Sequence, residues 1–368
     1  MKKFIYHTYQ NVLMFVLIVL TTSILYLISF DFYKDQRIHK RDQYLESLPN
    51  THDINWYHQA IVDLKKVKTS YSSYLGWKQN ELLSPTIEID SNGLRRTVNS
   101  DFSGKNIFFT GGSLMFGTLI NDENTIPSLV SKYGESLYYC SNLGLSGYNS
   151  FQSHMTLKLN LLNGNIPDIV VTIDGGNDIY FKEKYKLSSD LIVNKRLNQN
   201  SLNVYGYIKS IFIPLIDFSS RFSEKIKNIK TGKLKGHEDN SFFDDKYYNN
   251  KATELLDSWL LSKKMSDDYN FDFYAILQPN IFEGDPFISY IDLEKTYYDF
   301  DYLNGIYPRI YKEIRLLLKT TRYKELNDYV YDFTDIFNIS EPVYIDHLHC
   351  TPNGNELIAK RIIDILKA

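Results

Sequence analysis

Residues 106–120 read NIFFTGGSLMFGTLI, in which a short apolar run precedes two glycines, a serine and a second apolar run. The run 106–110 predicts a buried β-strand, because short apolar segments bounded by turn residues are typical of strands inside a sheet. Gly111 and Gly112 permit a sharp turn at the end of that strand. The turn would lift the Ser113 hydroxyl above the sheet, beside a helix start where backbone N–H groups point outward. This position suits a nucleophile or a phosphate.

Strand-like and helix-like segments alternate along the rest of this region. Strands that alternate with helices imply a parallel sheet covered on both faces. We therefore predict a three-layer, flavodoxin-like α/β domain with a five-stranded parallel sheet, whose ligands bind beyond the carboxyl ends of the strands. The predicted strands are 106–110, 136–140, 168–173, 271–277 and 329–333, and the predicted helices are 126–133, 150–163, 251–265, 304–320 and 354–367.

The phosphate interpretation of the glycine turn can be tested on the sequence itself. The segment GSLMFGTL (112–119) has the G-x-x-x-x-G spacing of a P-loop. Thr118 and Leu119, however, stand where a lysine and a serine or threonine are required. The pattern therefore argues against a nucleoside triphosphatase and favours Ser113 as a nucleophile.

A serine nucleophile needs a base, and the last predicted strand is followed by YIDHLHCTPNGNELIA (344–359). Asp346 and His349 are three residues apart in this segment. On a tight turn this spacing lets the carboxylate reach one ring nitrogen while the other faces the site. His347 would point elsewhere. We therefore predict His349 as the base for Ser113 and Asp346 as the residue that orients it.

Two further strand ends carry hydrogen-bond donors. The segment NLGLSGYNS (142–150) offers the backbone N–H of Gly147, and TIDGGNDIY (172–180) offers the side-chain amide of Asn177. With the N–H of Ser113, these groups would form an oxyanion hole of three donors.

The blocks GGSLMFG, GLSGYNS, GGND and DHLH resemble, in order, the four blocks of the SGNH (GDSL-type) hydrolase family. The resemblance covers roughly residues 104–181 and 270–368, and it implies a flavodoxin-like fold. It also implies Ser113 as nucleophile, His349 as base, Asp346 as its partner, and Gly147 and Asn177 as oxyanion donors. Gly112 departs from the pattern, because the family usually has aspartate there.

The resemblance implies a serine esterase that forms an acyl-serine intermediate and needs no cofactor. We expect its substrate to be an O-acylated carbohydrate or cell-surface polysaccharide. One alternative is an O-acyltransferase that modifies a surface glycan with the same catalytic residues. A second alternative is a non-catalytic glycan-binding or assembly protein.

The N-terminal segment 12–30, VLMFVLIVLTTSILYLISF, carries no charged residue. As a helix it would span roughly 28 Å, close to the hydrocarbon thickness of a bilayer. Because it lacks the short core and cleavage site of a signal peptide, we predict an uncleaved transmembrane anchor. Large C-terminal domains cross membranes largely regardless of flanking charge, so we expect the catalytic domain outside the cytoplasm. A membrane-bound partner from a polysaccharide pathway would fit this location.

These observations predict a tail at 1–11, the anchor at 12–30, a juxtamembrane stalk and lead-in at 31–100, and a hydrolase-like domain at 101–368. The domain would carry a surface insertion at about 182–268, with an apolar piece at 207–218 and a basic piece at 225–237. A lid, a contact with an anionic glycan and a contact with the membrane surface remain alternatives for it.

The composition argues against several function classes. The formal net charge of −3 gives no basic excess for nucleic acid. Cys140 and Cys350 cannot form a disulfide framework or a four-thiolate zinc site. They could pair with each other if the domain is exported, but we expect two inert thiols. We predict no metal site, because H-E-x-x-H is absent and the acidic pairs at 244–245 and 267–268 lack ligand spacing.

Overall fold

The computed structural model of the protein describes residues 38–99, 103–135, 137–179, 244–292 and 300–368, and isolated positions between 11 and 36. Contacts divide the chain into two units. One comprises residues 1–44 and 198–238, and its described residues are helical between 38 and 44. The other comprises residues 45–197 and 239–368 and contains the sheet described below.

A five-stranded parallel sheet forms the centre of the larger unit. Its strand order is β6-β5-β7-β8-β9, which is the order 2-1-3-4-5 of flavodoxin-like folds. The predicted five-stranded parallel sheet is therefore confirmed, and each of its strands falls within two residues of its predicted bounds. These strands are β5 (Lys105–Gly111), β6 (Tyr138–Asn142), β7 (Ile169–Asp174), β8 (Asp272–Leu277) and β9 (Val330–Asp332).

Helices cover both faces of this sheet. Side chains alternate across a strand, so Phe108 packs into one apolar core while Ile107 and Phe109 pack into the other. The Phe108 face is covered by α4, α6 and α7, and the opposite face by α3 and α8. The helices are α1 (Tyr57–Leu64), α2 (Ser113–Phe116), α3 (Ile126–Tyr133), α4 (Ser150–Leu162), α5 (Gly176–Ile179), α6 (Asp245–Tyr269), α7 (Phe300–Leu318) and α8 (Pro352–Lys367).

Polar caps fix where several of these helices begin. The Thr125 hydroxyl accepts from the N–H of Ser128 at the start of α3, and that of Thr351 accepts from Gly354 at the start of α8. At the start of α4, Asn149 and Gln152 form a reciprocal capping box. Because α4 and α8 each directly follow a loop that contains predicted site residues, their starting points position that loop.

The lead-in differs from the expected stalk, because residues 45–99 belong to the larger unit. They contain α1, the hairpin of β1 (Thr69–Ser72) with β2 (Gly76–Gln79), and the pair of β3 (Leu82–Leu83) with β4 (Glu88–Ile89). Trp77, Ile87 and Ile89 are almost fully buried. Trp77 packs with Leu145 and Tyr148, and the two isoleucines pack with Phe116, so the segment lies against the domain and is not a free stalk.

The predicted insertion at about 182–268 also has a different end in the structure. Helix α6 begins at Asp245, and its Trp259 side chain is buried in the core on the Phe108 face of the sheet. Residues 245–268 therefore belong to the domain itself. The apolar piece 207–218 and the basic piece 225–237 lie outside the described residues.

The predicted anchor at 12–30 lies almost entirely outside the described residues. Within the part of the chain that the structure describes, no helix is long and apolar enough to cross a membrane. Cys140 and Cys350 are both buried and free, and burial raises the pKa of both thiols. They are therefore held as protonated thiols.

Candidate active site

The predicted site residues all lie beyond the carboxyl ends of strands, at one edge of the sheet. Ser113 is the first residue of α2, directly after β5. Gly147 lies between β6 and α4, and Asn177 lies in α5 after β7. Asp346 and His349 lie in the loop between β9 and α8. Since parallel strands end at the same edge, the sheet gathers segments that are far apart in the chain.

Three of these side chains form a continuous hydrogen-bonded chain. Ser113 Oγ lies 2.7 Å from His349 Nε2, and His349 Nδ1 lies 2.8 Å from Asp346 Oδ2. The other oxygen of Asp346 accepts from the backbone N–H groups of Leu348 and His349, each at 2.9 Å. Asp346 therefore fixes both the fold of its own loop and the direction of the imidazole. Nucleophile, base and orienting carboxylate have this relationship in serine hydrolases.

The charge on Asp346 is stabilised by its surroundings. Burial alone would raise the pKa of this carboxyl. The charge of His349 and the hydrogen bond from its ring outweigh burial, so the pKa of Asp346 lies below its ordinary value of 3.8. The carboxylate stays ionised at neutral pH and can stabilise an imidazolium on His349.

His347 occupies a different environment from His349. Its side chain is buried, and its ring packs 6.3 Å from the ring of Phe282. Burial lowers the pKa of His347 to about 4, so the ring is neutral at physiological pH. Its Nδ1 is 3.9 Å from Asp346 Oδ1, which is beyond hydrogen-bond range. The structure therefore brings His349, and not His347, to Ser113.

The side-chain amide of Asn177, one of the predicted oxyanion donors, lies beside the serine turn. Asn177 Nδ2 donates to the carbonyl of Tyr148 at 2.7 Å, which ties α5 to the loop that contains Gly147. A Cβ atom at position 112 would lie 2.5 Å from Asn177 Nδ2 and 2.8 Å from the Tyr148 carbonyl. Gly112 is thus required by a close approach, and an aspartate in its place would displace the Asn177 amide.

Two buried aspartates behind the site were not among the predicted site residues. Asp178 accepts from Ser150 Oγ at 2.6 Å and from the backbone N–H groups of Ser150 and Gly175. It therefore joins the start of α4 to the turn that carries Asn177. The sequence feature that could have indicated this role is the position of Asp178 at the end of the G-x-N-D block.

Asp174, the last residue of β7, receives three donors from three elements. Ser153 Oγ donates to one oxygen at 2.7 Å, while Thr172 Oγ1 and Trp259 Nε1 donate to the other at 2.6 and 2.9 Å. Burial, with a smaller contribution from the charge of Asp178, raises the pKa of Asp174 to about 7. The sequence pattern does not single out Asp174, since two of its three partners, Ser153 and Trp259, come from other elements.

Arg95 is a third residue that the sequence did not single out. It lies in the lead-in, is buried, and donates to carbonyls of α2 and of the loop that follows it. Among the described residues, no group of three or more histidine, cysteine, aspartate or glutamate side chains could hold a metal ion.

Comparisons with known proteins give fold-level similarity only. No family model matches the chain, and no curated protein matches it in sequence. Solved structures similar to it include a carbohydrate acetylesterase family member from Sinorhizobium meliloti (12% identity, TM-score 0.39, 72% of this chain and 97% of that chain covered). Another belongs to the lipolytic protein G-D-S-L family from Veillonella parvula DSM 2008 (11%, 0.38, 71% and 98%). A third is an acetyl xylan esterase (14%, 0.38, 70% and 98%).

The first prediction separates the two histidines. We expect His349→Ala to lower turnover by about 10⁴-fold or more, as removal of a triad base does elsewhere. Ser113→Ala should be equally inactive, because triad members act as a unit. His347→Ala should cost stability but keep most of the turnover per folded molecule. Ester hydrolysis normalised to folded protein by circular dichroism measures this. Equal losses in both histidine variants, with Ser113→Ala still active, would refute the assignment.

The second prediction concerns the pH dependence of stability. The folded-state pKa of Asp174 is raised from 3.8 to about 7. The contribution of this group to the free energy of unfolding is therefore complete below pH about 4 and is lost as pH rises through 7. The free energy of unfolding should fall by up to about 4 kcal/mol over that range from this group. Asp174→Asn removes the titration, and its amide N–H can donate to Ser153 Oγ, so the slope should flatten.

Urea unfolding between pH 5 and 8 measures that slope. Asp268→Asn, which changes an exposed carboxylate of the same helix α6 that supplies Trp259, is the matched control and should keep the wild-type slope. A slope that Asp174→Asn leaves unchanged would show that Asp174 is ionised throughout the range.

Proposed function

We propose that this protein is a serine ester hydrolase of the SGNH (GDSL) type that acts through an acyl-serine intermediate. The observation that carries the proposal is the contact of 2.7 Å between Ser113 Oγ and His349 Nε2, with Asp346 bonded to the other ring nitrogen. A serine hydroxyl is a weak nucleophile at neutral pH and becomes reactive when an adjacent base accepts its proton.

The reaction would proceed in two halves. In the first, His349 Nε2 takes the proton of Ser113 Oγ as that oxygen attacks the ester carbonyl. The tetrahedral intermediate collapses, the alcohol leaves with the proton from His349, and the acyl group stays on Ser113. In the second half, water gives a proton to His349 as it attacks the acyl-serine. The second tetrahedral intermediate collapses, His349 returns that proton to Ser113 Oγ, and the carboxylic acid is released.

The negative oxygen of each tetrahedral intermediate needs donors that are already in place. The N–H groups of Ser113 and Gly147 and the side-chain amide of Asn177 would serve this purpose. One N–H of the Asn177 amide donates to the Tyr148 carbonyl, which fixes the amide plane. The second N–H of the same nitrogen is then held in a defined direction.

We propose an O-acylated carbohydrate or cell-surface polysaccharide as the substrate. The support is the sequence resemblance together with the uncharged segment 12–30, which would hold the enzyme at a membrane. In this arrangement the domain lies outside the cytoplasm, next to membrane-bound proteins that handle the same polymer.

The third prediction separates hydrolysis from acyl transfer. The purified full-length chain should release one free acid for each ester consumed from an aryl acetate or an acetylated oligosaccharide. Added sugar acceptor should not raise consumption, because water alone completes the cycle. Ser113→Ala is the control for reaction at the site. Negligible consumption in water, with acylated sugar accumulating when acceptor is added, would favour the O-acyltransferase. No consumption under any condition would favour a non-catalytic glycan-binding protein.

The fourth prediction concerns the membrane anchor. Because residues 12–30 carry no charge and lack a cleavage site, we expect one uncleaved helix with the C-terminus outside the cytoplasm. An alkaline phosphatase fused after Ala368 should be active, whereas a reporter that requires the cytoplasm should not. The opposite pair of results would reverse the orientation.

A further inference from the structure

The helix that carries Ser113 is too short to satisfy its own carbonyl groups. Helix α2 has a single turn, in which the N–H of Phe116 bonds to Gly112 and those of Gly117 and Thr118 bond to Ser113. The last carbonyls of any helix lack partners within the helix. In α2 these are the carbonyls of Met115 and Phe116, whereas the carbonyl of Gly117, just after the helix, accepts from the N–H of Ile120.

Two side chains from outside α2 supply the missing donors. Asn142, at the end of β6, donates to the Met115 carbonyl at 3.0 Å. Arg95 Nη1 donates to the carbonyls of Phe116 and Gly117 at 2.9 and 2.6 Å. The C-terminal end of the nucleophile helix is therefore held by residues of the lead-in and of a neighbouring strand.

All five N–H groups of the Arg95 guanidinium have an acceptor. Besides the two carbonyls on Nη1, Nε donates to Asp122 Oδ1 at 2.8 Å, and Nη2 donates to the carbonyls of Thr86 and Ile120. A guanidinium is the one side chain with five donors in a fixed plane, whereas a lysine ammonium has three. Lysine would keep the charge but could donate to at most three of these five acceptors. Two of the five, the carbonyls of Thr86 and Gly117, also accept from the backbone N–H groups of Asp122 and Ile120.

The charge and the space around the side chain at position 95 also suit an arginine. The Arg95 side chain is fully buried, and Asp122 balances its charge while also accepting from the N–H of Glu88 at 3.0 Å. Gly117 has a φ of +83°, and a Cβ there would lie 3.2 Å from Arg95 Nη1 and 2.8 Å from Thr125 Cγ2. A glycine at 117 thus permits the close approach of the guanidinium.

Arg95 also connects the serine helix to the loop of the oxyanion donor Gly147. Its backbone pairs with Asn142, whose side chain accepts from the N–H of Gly144 in that loop. Asn142 therefore contacts α2 through its amide N–H and the loop through its oxygen. A shift of Arg95 would move the Ser113 hydroxyl and the loop relative to His349.

We infer that Arg95, paired with Asp122, is a positioning residue that holds α2 so that Ser113 stays in line with His349 and the oxyanion donors. This inference rests on the proposed function. Within the described part of the chain, the Arg95 guanidinium contacts backbone carbonyls, the Asp122 carboxylate and the Phe116 ring, so it acts through α2 and not on substrate. Misplacement of a reacting group by about 1 Å can cost about 10²-fold in rate. The loss should therefore appear in kcat and not in KM.

The test variant is Arg95→Lys, and its matched control is Arg96→Lys. Arg96 is the next residue, has a side chain 55% exposed and pairs with Glu88 at 2.9 Å. Three quantities are measured per folded molecule: kcat and KM for hydrolysis of an aryl acetate, and the rate at which a fluorophosphonate labels Ser113. In labelling, Oγ bonds to phosphorus, fluoride leaves, and the serine proton passes to His349.

We expect Arg95→Lys to lower both kcat and the labelling rate about 10²-fold, with KM within about threefold of wild type. Arg96→Lys should match the wild type in all three. An Arg95→Lys protein with lower stability but wild-type kcat and labelling rate would overturn the positioning role and leave a structural one.

A second variant is used should Arg95→Lys fail to fold. Arg95→Met combined with Asp122→Asn removes both charges, and neutral replacement of a buried pair is commonly tolerated. It should show the same loss of kcat and labelling, whereas wild-type rates would overturn the inference. A wild-type chain that is neither labelled nor active would overturn the proposed function itself, and the positioning role with it.

Discussion

One hydrogen bond of 2.7 Å, from Ser113 Oγ to His349 Nε2, joins residues that are 236 positions apart in the chain. A flexible chain would not keep two residues so far apart in sequence in contact, because each residue that is ordered costs conformational entropy. The parallel sheet supplies the order: Gly111 is in register with Ile173 on β7, and β7 is in register with β8. The turns that leave these strands therefore emerge at one edge, and the site needs only local adjustments there.

Those adjustments are made by buried polar side chains, nearly all of whose polar atoms form hydrogen bonds. Asp346 holds the histidine loop, Asp178 holds the turn that carries Asn177, and Arg95 with Asp122 holds the serine helix. A buried charge is costly unless it is paired and hydrogen-bonded, but a satisfied network rigidifies its surroundings. Each of these buried groups thus lowers the stability of the core but fixes the orientation of one loop.

The strands, most helices and the Ser113–Asp346–His349 grouping could be predicted because their signals are local: apolar runs, turn glycines and a three-residue spacing. The roles of Arg95 and Asp174 could not, since their partners lie on other elements. Arg95 and Arg96 are neighbours in the sequence, yet one is buried and the other is exposed. Alternation along an extended segment puts them on opposite sides, but sequence does not reveal which side the domain covers. The same ambiguity made the lead-in resemble a stalk.

The lead-in is tied to the site by more than packing. Tyr148, whose carbonyl accepts from Asn177, also donates its hydroxyl to the carbonyl of Trp77, and the two rings meet edge to face at 5.4 Å. One residue of the Gly147 loop thus contacts the lead-in on one side and the Asn177 amide on the other. Asn177 and Tyr148 both pack closely against Gly112, since a Cβ there would strike both of them. The lead-in and the serine turn therefore constrain the Asn177 amide and the Gly147 loop from two directions, and neither constraint is contained in the motifs themselves.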